Sequence, residues 1–348
     1  MSQRPDRAAA PRSQRVTAAG SPAAPSSAAG DASGGSDELA CLVDRCTFAD
    51  VTSPALVCAV SGGADSAALL VLACMFAQHS GSSVTAVHVD HGLRDAGPAE
   101  AARVEALCDR LGAGFSVTHV DVEPGANLQA RAREARHAAL GPDALLGHTA
   151  DDQAETVLLQ LLRGGALDAL AAMRADRRPL LGLRRSETER VCELVDYEPV
   201  RDPSNADPRF WRSRVRHEVI PLLCDIAGRD VVPLLARGSG LAAADADLLD
   251  ALAADIDPAS ASELRDAPVA LARRAVRAWL RTDHPPDAGA VERVLEVARH
   301  THRATEIGGG RRVSRSADRL EAEPPGEAVA RAAREPASNE NREQEREA

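Results

Sequence analysis

The hexapeptide Ser61-Gly62-Gly63-Ala64-Asp65-Ser66 constrains the fold most, because of what flanks it. Ahead of it, Ala55-Leu56-Val57-Cys58-Ala59-Val60 is a continuous, partly β-branched apolar run, as in a strand buried on both faces. Behind it, Ala67 to Ala77 is rich in Ala, Leu and Met and reads as a buried helix. A strand, a glycine turn and a helix N-terminus make an anion site. Glycines let the backbone approach closely, the first helical N–H groups have no intrahelical acceptor, and serine hydroxyls can donate. Taken alone, the same residues also suit a plain tight turn between strand and helix.

Two common nucleotide motifs are excluded. No Gly-x-x-x-x-Gly-Lys-[Ser/Thr] occurs, and no Gly-x-Gly-x-x-Gly follows this strand. The sequence contains no Lys, so all 41 Lys+Arg residues are Arg. A phosphate-binding or Schiff-base lysine is therefore impossible. The Ser-Gly-Gly-x-Asp-Ser loop resembles the pyrophosphate loop (PP-loop) of the ATP pyrophosphatase superfamily, enzymes that adenylate a substrate and release pyrophosphate.

From Val57 to His148 the pattern alternates strand and helix. Strands are expected at Ala55–Val60, Val84–Val89, Phe115–Val122 and Ala144–Leu146, with helices after each; the last begins near Asp151 and ends near Leu162. Such repeated units predict an α/β fold with a doubly wound parallel sheet, whose ligands sit at the carboxyl ends of the strands. The polar clusters fall there: the hexapeptide, His88-Val89-Asp90-His91-Gly92, and Gly147-His148-Thr149. His88 and His91 lack the Cys/His spacing of a metal site and read as strand-end polar residues.

Residues 1–36 carry almost no bulky apolar side chains and are expected to be disordered, as is the Glu/Arg/Pro-rich segment 322–348. Leu39 to Phe48 reads as a lead-in helix. The division expected is a catalytic domain over 37–226 and a smaller, mostly helical domain over 227–321. Helices are predicted at Leu241–Ile256, Ser262–Leu280 and Ala288–His300, with a small strand or hairpin at Val313–Leu320. In the catalytic part, Ser186 reads as a helix cap followed by acids. Asp207 reads as the cap of a helix with Pro208 at its first position, running to about Leu223.

The seven Cys are scattered, without a Cys-x-x-Cys pair, and read as small core residues in a reducing compartment. No apolar stretch reaches the ~20 residues that span a bilayer, and no secretory h-region opens the chain. A soluble cytoplasmic protein without a membrane partner is expected. The net charge of −11 argues against a nucleic-acid partner until its distribution is considered. Arg209, Arg212, Arg214, Arg216 and His217 form an acid-free block, and Arg299 to Arg319 is a second basic stretch.

A second motif, Gly147-His148-Thr149-Ala150-Asp151-Asp152-Gln153-Ala154-Glu155-Thr156, puts Asp152, Glu155 and Thr156 on one helix face. An acidic first turn complementing the helix dipole explains it equally well in isolation. Likewise, Arg209, Arg212 and Arg216 share a face opposite Trp211, Val215 and Val219, as in any amphipathic surface helix.

Five segments in order make the match specific: Ser61–Ser66; His88 to Arg94; Asn127-Leu128-Gln129-Ala130-Arg131-Ala132-Arg133; Gly147–Thr156; and Asp202-Pro203-Ser204-Asn205 through Phe210 with Arg214-Val215-Arg216-His217. Together, over roughly 55–225, they resemble the tRNA(Ile)-lysidine synthetase family. The resemblance implies an adenine-nucleotide α-hydrolase-like fold and ATP-dependent ligation of free L-lysine to carbon-2 of the wobble cytidine in a CAU-anticodon isoleucine tRNA, through an adenylated cytidine. It implies ATP binding by Ser61, Gly62, Gly63, Ala64, Asp65, Ser66 and His148, with Mg2+ at Asp65. Asp152 and Glu155 would hold the lysine ammonium and take its proton, joined by Arg212 and Arg214. Arg209, Arg216 and Arg131 would face tRNA, and a homodimer is kept open. Ser213 stands where the family usually has Asn, and Arg201 where an acid often stands. The chain resembles the shorter members, which lack an extra C-terminal domain. Rival readings are a tRNA thiolation enzyme or other adenylating PP-loop enzyme, and a non-catalytic ATP- or RNA-binding module.

Overall fold

The computed structural model describes residues 32–48, 53–90, 97–120, 131, 135, 138–200, 207–282 and 286–323. The tails expected over 1–31 and 324–348, the segment 91–94, the residues 127–130 and the turn 202–206 lie outside the described residues. The chain divides into two compact units, up to residue 243 and from 244 onward, and each is taken by itself.

In the first unit, β1 (Ala55–Ala59) pairs in parallel with β2 (Ser83–Asp90), and β2 pairs in parallel with β3 (Gly114–His119). On the other side of β1, Leu145 makes a parallel bridge to Cys58. The Ala59 N–H donates to the Leu145 carbonyl (2.9 Å), and the Leu145 N–H to the Val57 carbonyl (2.7 Å). The lateral order is thus β3, β2, β1, Leu145. Chain direction across the sheet reverses between β1 and Leu145, which opens a crevice at their carboxyl ends.

The strand expected at Ala144–Leu146 shrinks to this one bridge. The Leu146 N–H turns to the Arg177 carbonyl (2.8 Å), and the Arg177 guanidinium donates to the Ala144 and Gly141 carbonyls (3.0 and 3.2 Å). The third strand ends at His119 rather than Val122. The lead-in helix α1 runs Ala32–Asp44, starting ahead of the predicted Leu39 and inside the stretch expected to be disordered.

Helix α2 (Ala64–Ser80) follows β1, and α3 (Gly97–Leu111) follows β2. The middle of α2, Ala67 to Ala73, is buried all round, as its uniformly apolar sequence requires. Its Leu69, Leu70 and Leu72 join Leu56, Leu107 and Leu180 in the main core. Each such side chain stabilises the fold by about 1.5–3 kcal/mol relative to exposure. Further along come α4 (Ala150–Leu162), the short α5 (Leu167–Leu170) and α6 (Arg185–Leu194), which packs on α2. Next are α7 (Trp211–Arg214), a π turn (Val215–Val219), α8 (Ile220–Ala227) and α9 (Val232–Ala253). The predicted single helix from Pro208 is therefore later and interrupted. Asp207 closes a turn instead, accepting from the Arg209 N–H (2.9 Å) and its guanidinium (2.6 Å).

The second unit holds α10 (Ala261–Asp266), α11 (Val269–Leu280) and α12 (Ala288–Ala298). An antiparallel sheet of β4 (Ala304–Ile307), β5 (Arg311–Ser316) and β6 (Arg319–Ala322) follows. The predicted small hairpin is a three-stranded meander. Val276, Leu280, Val294, Leu295, Val313 and Leu320 form its core.

Two glycines are structurally required at the crevice. Gly62 has φ +86°, in the left-handed region that side chains disfavour. A Cβ on Gly147 would lie 2.6 Å from the Asp65 carbonyl oxygen, a backbone atom that cannot swing away. Gly147→Ala should therefore destabilise the protein by about 1–3 kcal/mol. A fall in the urea unfolding midpoint at unchanged slope checks this.

Candidate active site

The loop after β1 is built from its own hydroxyls and backbone. The Ser66 hydroxyl donates to the Gly63 carbonyl (2.9 Å) and accepts from the Ser61 N–H (3.1 Å), and the two hydroxyls lie 3.2 Å apart. The Tyr197 hydroxyl and the Val200 N–H both donate to the Gly62 carbonyl (3.0 and 2.9 Å), pinning the turn. Gly63 caps α2 without a side-chain hydrogen bond, leaving the first-turn N–H groups of a 17-residue helix facing the crevice. A helix N-terminus of this kind is suited to an anion.

Across the crevice, α4 starts at the end of the Leu145 segment. The Asp152 Oδ2 accepts from the Thr149 N–H (2.9 Å) and hydroxyl (3.1 Å), so this carboxylate caps the helix with one oxygen. Its Oδ1 faces Arg185 (3.0 Å) and Arg212 (3.1 Å). One turn on, Glu155 is completely buried. It receives Arg216 Nε (2.6 Å), Arg212 Nε (2.7 Å) and Arg185 Nη1 (3.4 Å). The Thr156 hydroxyl donates back to the Asp152 carbonyl (2.7 Å). Gln153, on the opposite side, bonds Met173 through both amide atoms (3.0 and 3.1 Å) and donates to the Ser239 hydroxyl (2.7 Å), which locks α4 in place.

Burial alone would raise the Asp152 pKa, but the Arg185 charge, the Thr149 N–H and Arg212 together hold it below the ordinary carboxylate value. Asp151 is likewise held low, its burial outweighed by hydrogen bonds from the Arg184 guanidinium (Nε, 3.0 Å) and the Arg185 N–H (2.8 Å). Asp65 differs. Burial pushes it up, and the Thr188 hydroxyl that donates to it and the Arg185 charge only partly offset this.

The residues predicted from the sequence divide clearly. Ser61 to Ser66, Asp152, Glu155 and Arg212 come to one sheet end, with His148 between the Leu145 bridge and α4. Arg216, expected to face tRNA, is in the carboxylate cluster, whereas Arg214, expected at lysine, pairs with Glu218 (2.7 Å) away from it. Helical spacing is the reason: residues 212 and 216 share a face, and 214 lies across the helix. Arg209 is exposed and bonded to Asp207. Arg131 is helical, and its buried Nε and Nη2 have no hydrogen-bond partner among the described residues. Trp211, on the outer face, is 61% exposed. The buried His88 Nδ1 bonds the Val60 carbonyl (2.9 Å), a structural role.

Sequence reasoning missed Arg184, Arg185 and Thr188. Helix α6 starts at Arg185, one residue before the predicted Ser186 cap, with the Glu187 carboxylate accepting from the Arg184 N–H (2.7 Å). The signal available was the Arg184-Arg185 pair directly before an acidic first turn, which opposes the helix dipole and so calls for an external reason.

Among the described residues, no group of three or more His, Cys, Asp and Glu side chains is placed to hold a metal ion. Asp65 is a single carboxylate, and a divalent cation on it would lie against the Arg185 guanidinium, 3.5 Å away. A nucleotide-borne Mg2+ needs only one or two protein carboxylates, and Asp65 is the one beside the loop. Burial pushes the Cys46, Cys74, Cys108 and Cys192 thiols up to about 12, which leaves them un-ionised and poor nucleophiles near neutral pH.

A PP-loop domain model matches residues 38–223. The chain is 45% identical over 216 residues to the tRNA(Ile)-lysidine synthase of Nocardia farcinica, covering 57% of this chain and 68% of that one. It is 45% identical over 217 residues to that of Mycolicibacterium paratuberculosis, covering 56% and 66%. The chain belongs to the tRNA(Ile)-lysidine synthase family. The family is one of PP-loop, ATP-using ligases. Among solved structures, the U34-tRNA thiolase NcsA of Methanococcus maripaludis is similar at a TM-score of 0.46 and 15% identity, covering 59% of this chain and 77% of that one.

In this lysidine synthase family member, the depressed Asp151 and Asp152 carboxyls contribute stability that is complete above their unfolded value, about pH 4. It is lost as pH falls through their lower folded values. Asp152→Asn should flatten the acid limb of a stability-against-pH curve measured by urea unfolding. At pH 7, Glu155→Gln leaves three guanidiniums facing a neutral amide and should cost about 3–5 kcal/mol by the same measurement.

Proposed function

We propose that this protein uses ATP to join the ε-amine of free L-lysine to carbon-2 of the wobble cytidine of a CAU-anticodon isoleucine tRNA, through an adenylated cytidine. The observation that carries the reading is a buried carboxylate pair, Asp152 and Glu155, in the same strand-end crevice as an anion loop. One crevice then has a place for a triphosphate and a place for an ammonium ion.

The chemistry has two steps. A cytosine oxygen is a poor leaving group, so it first attacks the α-phosphate of ATP. Pyrophosphate departs into the Ser61–Ser66 loop, where the uncapped first-turn N–H groups of α2 are the donors available to it, with His148 beside the phosphates. The lysine amine then attacks carbon-2, and AMP leaves with the former carbonyl oxygen. At pH 7 only about one free lysine in a few thousand is neutral. A carboxylate pair holds the ammonium in its charged form, so the proton has to leave as the nitrogen attacks carbon-2, and a carboxylate in contact with it is placed to accept that proton. Arg212 is suited to the lysine carboxylate or a phosphate, since a guanidinium fork matches either.

The exposed Arg209 and Arg214 of the first unit supply cations for tRNA phosphates. Mg2+ enters on the nucleotide, with Asp65 as the protein carboxylate at hand. The substrates place the work in the cytoplasm. No described helix is long and apolar enough to cross a membrane.

With labelled lysine and ATP, the isoleucine tRNA should become labelled and the CAU-anticodon methionine tRNA should not. No incorporation by folded protein would refute the reading. Asp152→Asn and Glu155→Gln proteins that remain folded should lose about 10²–10⁴ in rate, the usual share of a positioned proton acceptor.

A further inference from the structure

Three carboxylates and three guanidiniums meet at the crevice: Asp65, Asp152 and Glu155 with Arg185, Arg212 and Arg216. Their charges balance. A lysine ammonium arriving at Asp152 and Glu155 finds a pair that is already compensated, and adding a fourth cation to a buried, neutral cluster is unfavourable. One guanidinium has to yield for the site to open.

Arg185 is placed to be that group. Among the ion pairs of the described residues, Arg212 and Arg216 have carboxylate partners only on the α4 side, Asp152 and Glu155. Arg185 has partners on both sides. Its Nε lies 3.5 Å from Asp65 on the loop helix, its Nη2 3.0 Å from Asp152 and its Nη1 3.4 Å from Glu155. Its backbone is fixed while its side chain spans the crevice. The Arg185 N–H donates to Asp151 (2.8 Å), and its carbonyl accepts from Thr188 (2.8 Å), whose hydroxyl also meets Asp65. Phosphates bound at Ser61–Ser66 would add negative charge on the Asp65 side only.

We infer that Arg185 is a positioning residue that moves toward the loop when nucleotide phosphates bind there, uncovering the Asp152–Glu155 pair for the lysine ammonium. The inference rests on the proposed function for the identity of the two ligands. Nucleotide and lysine then bind with positive coupling, each strengthening the other by the same factor. Lysine is admitted in quantity only when the activating group is present. The guanidinium pulled toward the loop adds a donor on the phosphate side as it leaves the carboxylates.

Calorimetric titration of the full chain with L-lysine tests this, with and without an ATP analogue whose α,β-methylene bridge blocks AMP transfer. The analogue should tighten lysine binding by about 5–50-fold, within the usual range of such couplings. In Arg185→Gln the two lysine affinities should agree within about twofold, since the shared group is gone. Arg185→Lys keeps the charge without the fork that reaches both sides, and its coupling should also fall. Should Arg185→Gln not fold, undiminished coupling in Arg185→Lys overturns the inference. So does a wild-type lysine affinity that ignores the analogue, or full coupling in Arg185→Gln. Absence of any lysine binding to wild type with the analogue and tRNA present overturns the proposed function itself.

Discussion

A carboxylate side chain buried completely has to be answered at close range by hydrogen bonds and opposite charge. Glu155 is answered three times, by Arg185, Arg212 and Arg216, and much of the first unit serves to bring those three cations to it. They come from two elements distant in sequence. Arg185 opens α6, which packs on the central helix α2, while Arg212 and Arg216 lie on the α7 and π-turn segment. Neither element makes a complete site, and the ion cluster ties both to α4. The cluster is thus a folding constraint as well as a chemical one, because leaving any member unpaired inside costs more than forming the whole set gains.

The parallel sheet supplies the geometry that makes such a cluster useful. Because β1 is flanked by β2 on one side and Leu145 on the other, the loop of α2 and the first turn of α4 open from adjacent positions at the same edge. Gly147 has room for no side chain against the Asp65 carbonyl, so the two turns pack backbone to backbone. That close packing is what brings the loop helix, with Asp65, and the Asp152–Glu155 pair within the reach of one arginine. Asp152 adds economy: one oxygen caps α4 through Thr149, and the other faces the cluster, so its orientation is fixed by the helix it terminates.

The parts of this arrangement that were legible in the sequence are those governed by local rules. The apolar run before Ser61, the double glycine and the i, i+3 spacing of Asp152 and Glu155 each have a short-range cause. The α/β class and the meeting of the hexapeptide with Gly147-His148-Thr149 at one sheet edge followed from them. What was hidden depends on contacts far apart in sequence. Arg185 lies 30 residues or more from Asp152 and Glu155 and over 100 from Asp65, and nothing local distinguishes it from Arg184. The exchange of places between Arg214 and Arg216 was a matter of helix phase. Arg209, Arg212 and Arg216 had been grouped on one face, but the helix starts at Trp211, so Arg209 falls outside it while 212 and 216 stay together. Strand four could not be sized from its sequence, because Arg177 competes for its edge.

The absence of Lys from the chain gains a physical meaning in this setting. Among the described residues, the ion-pair partners of Asp152 and Glu155 are planar guanidiniums, which bind carboxylates through a directed fork and stay charged at any working pH. An ammonium is a compact, strongly hydrated point charge that can lose its proton when desolvated. In the proposed reaction the attacking group is an ammonium that must become an amine, and no side chain of this protein has that chemistry. The resident cations can hold the carboxylates in place, yet none can itself be the nucleophile. Discrimination between structural cation and reacting cation is therefore made by chemical type, with guanidiniums as the frame and the ligand's ammonium as the group that titrates.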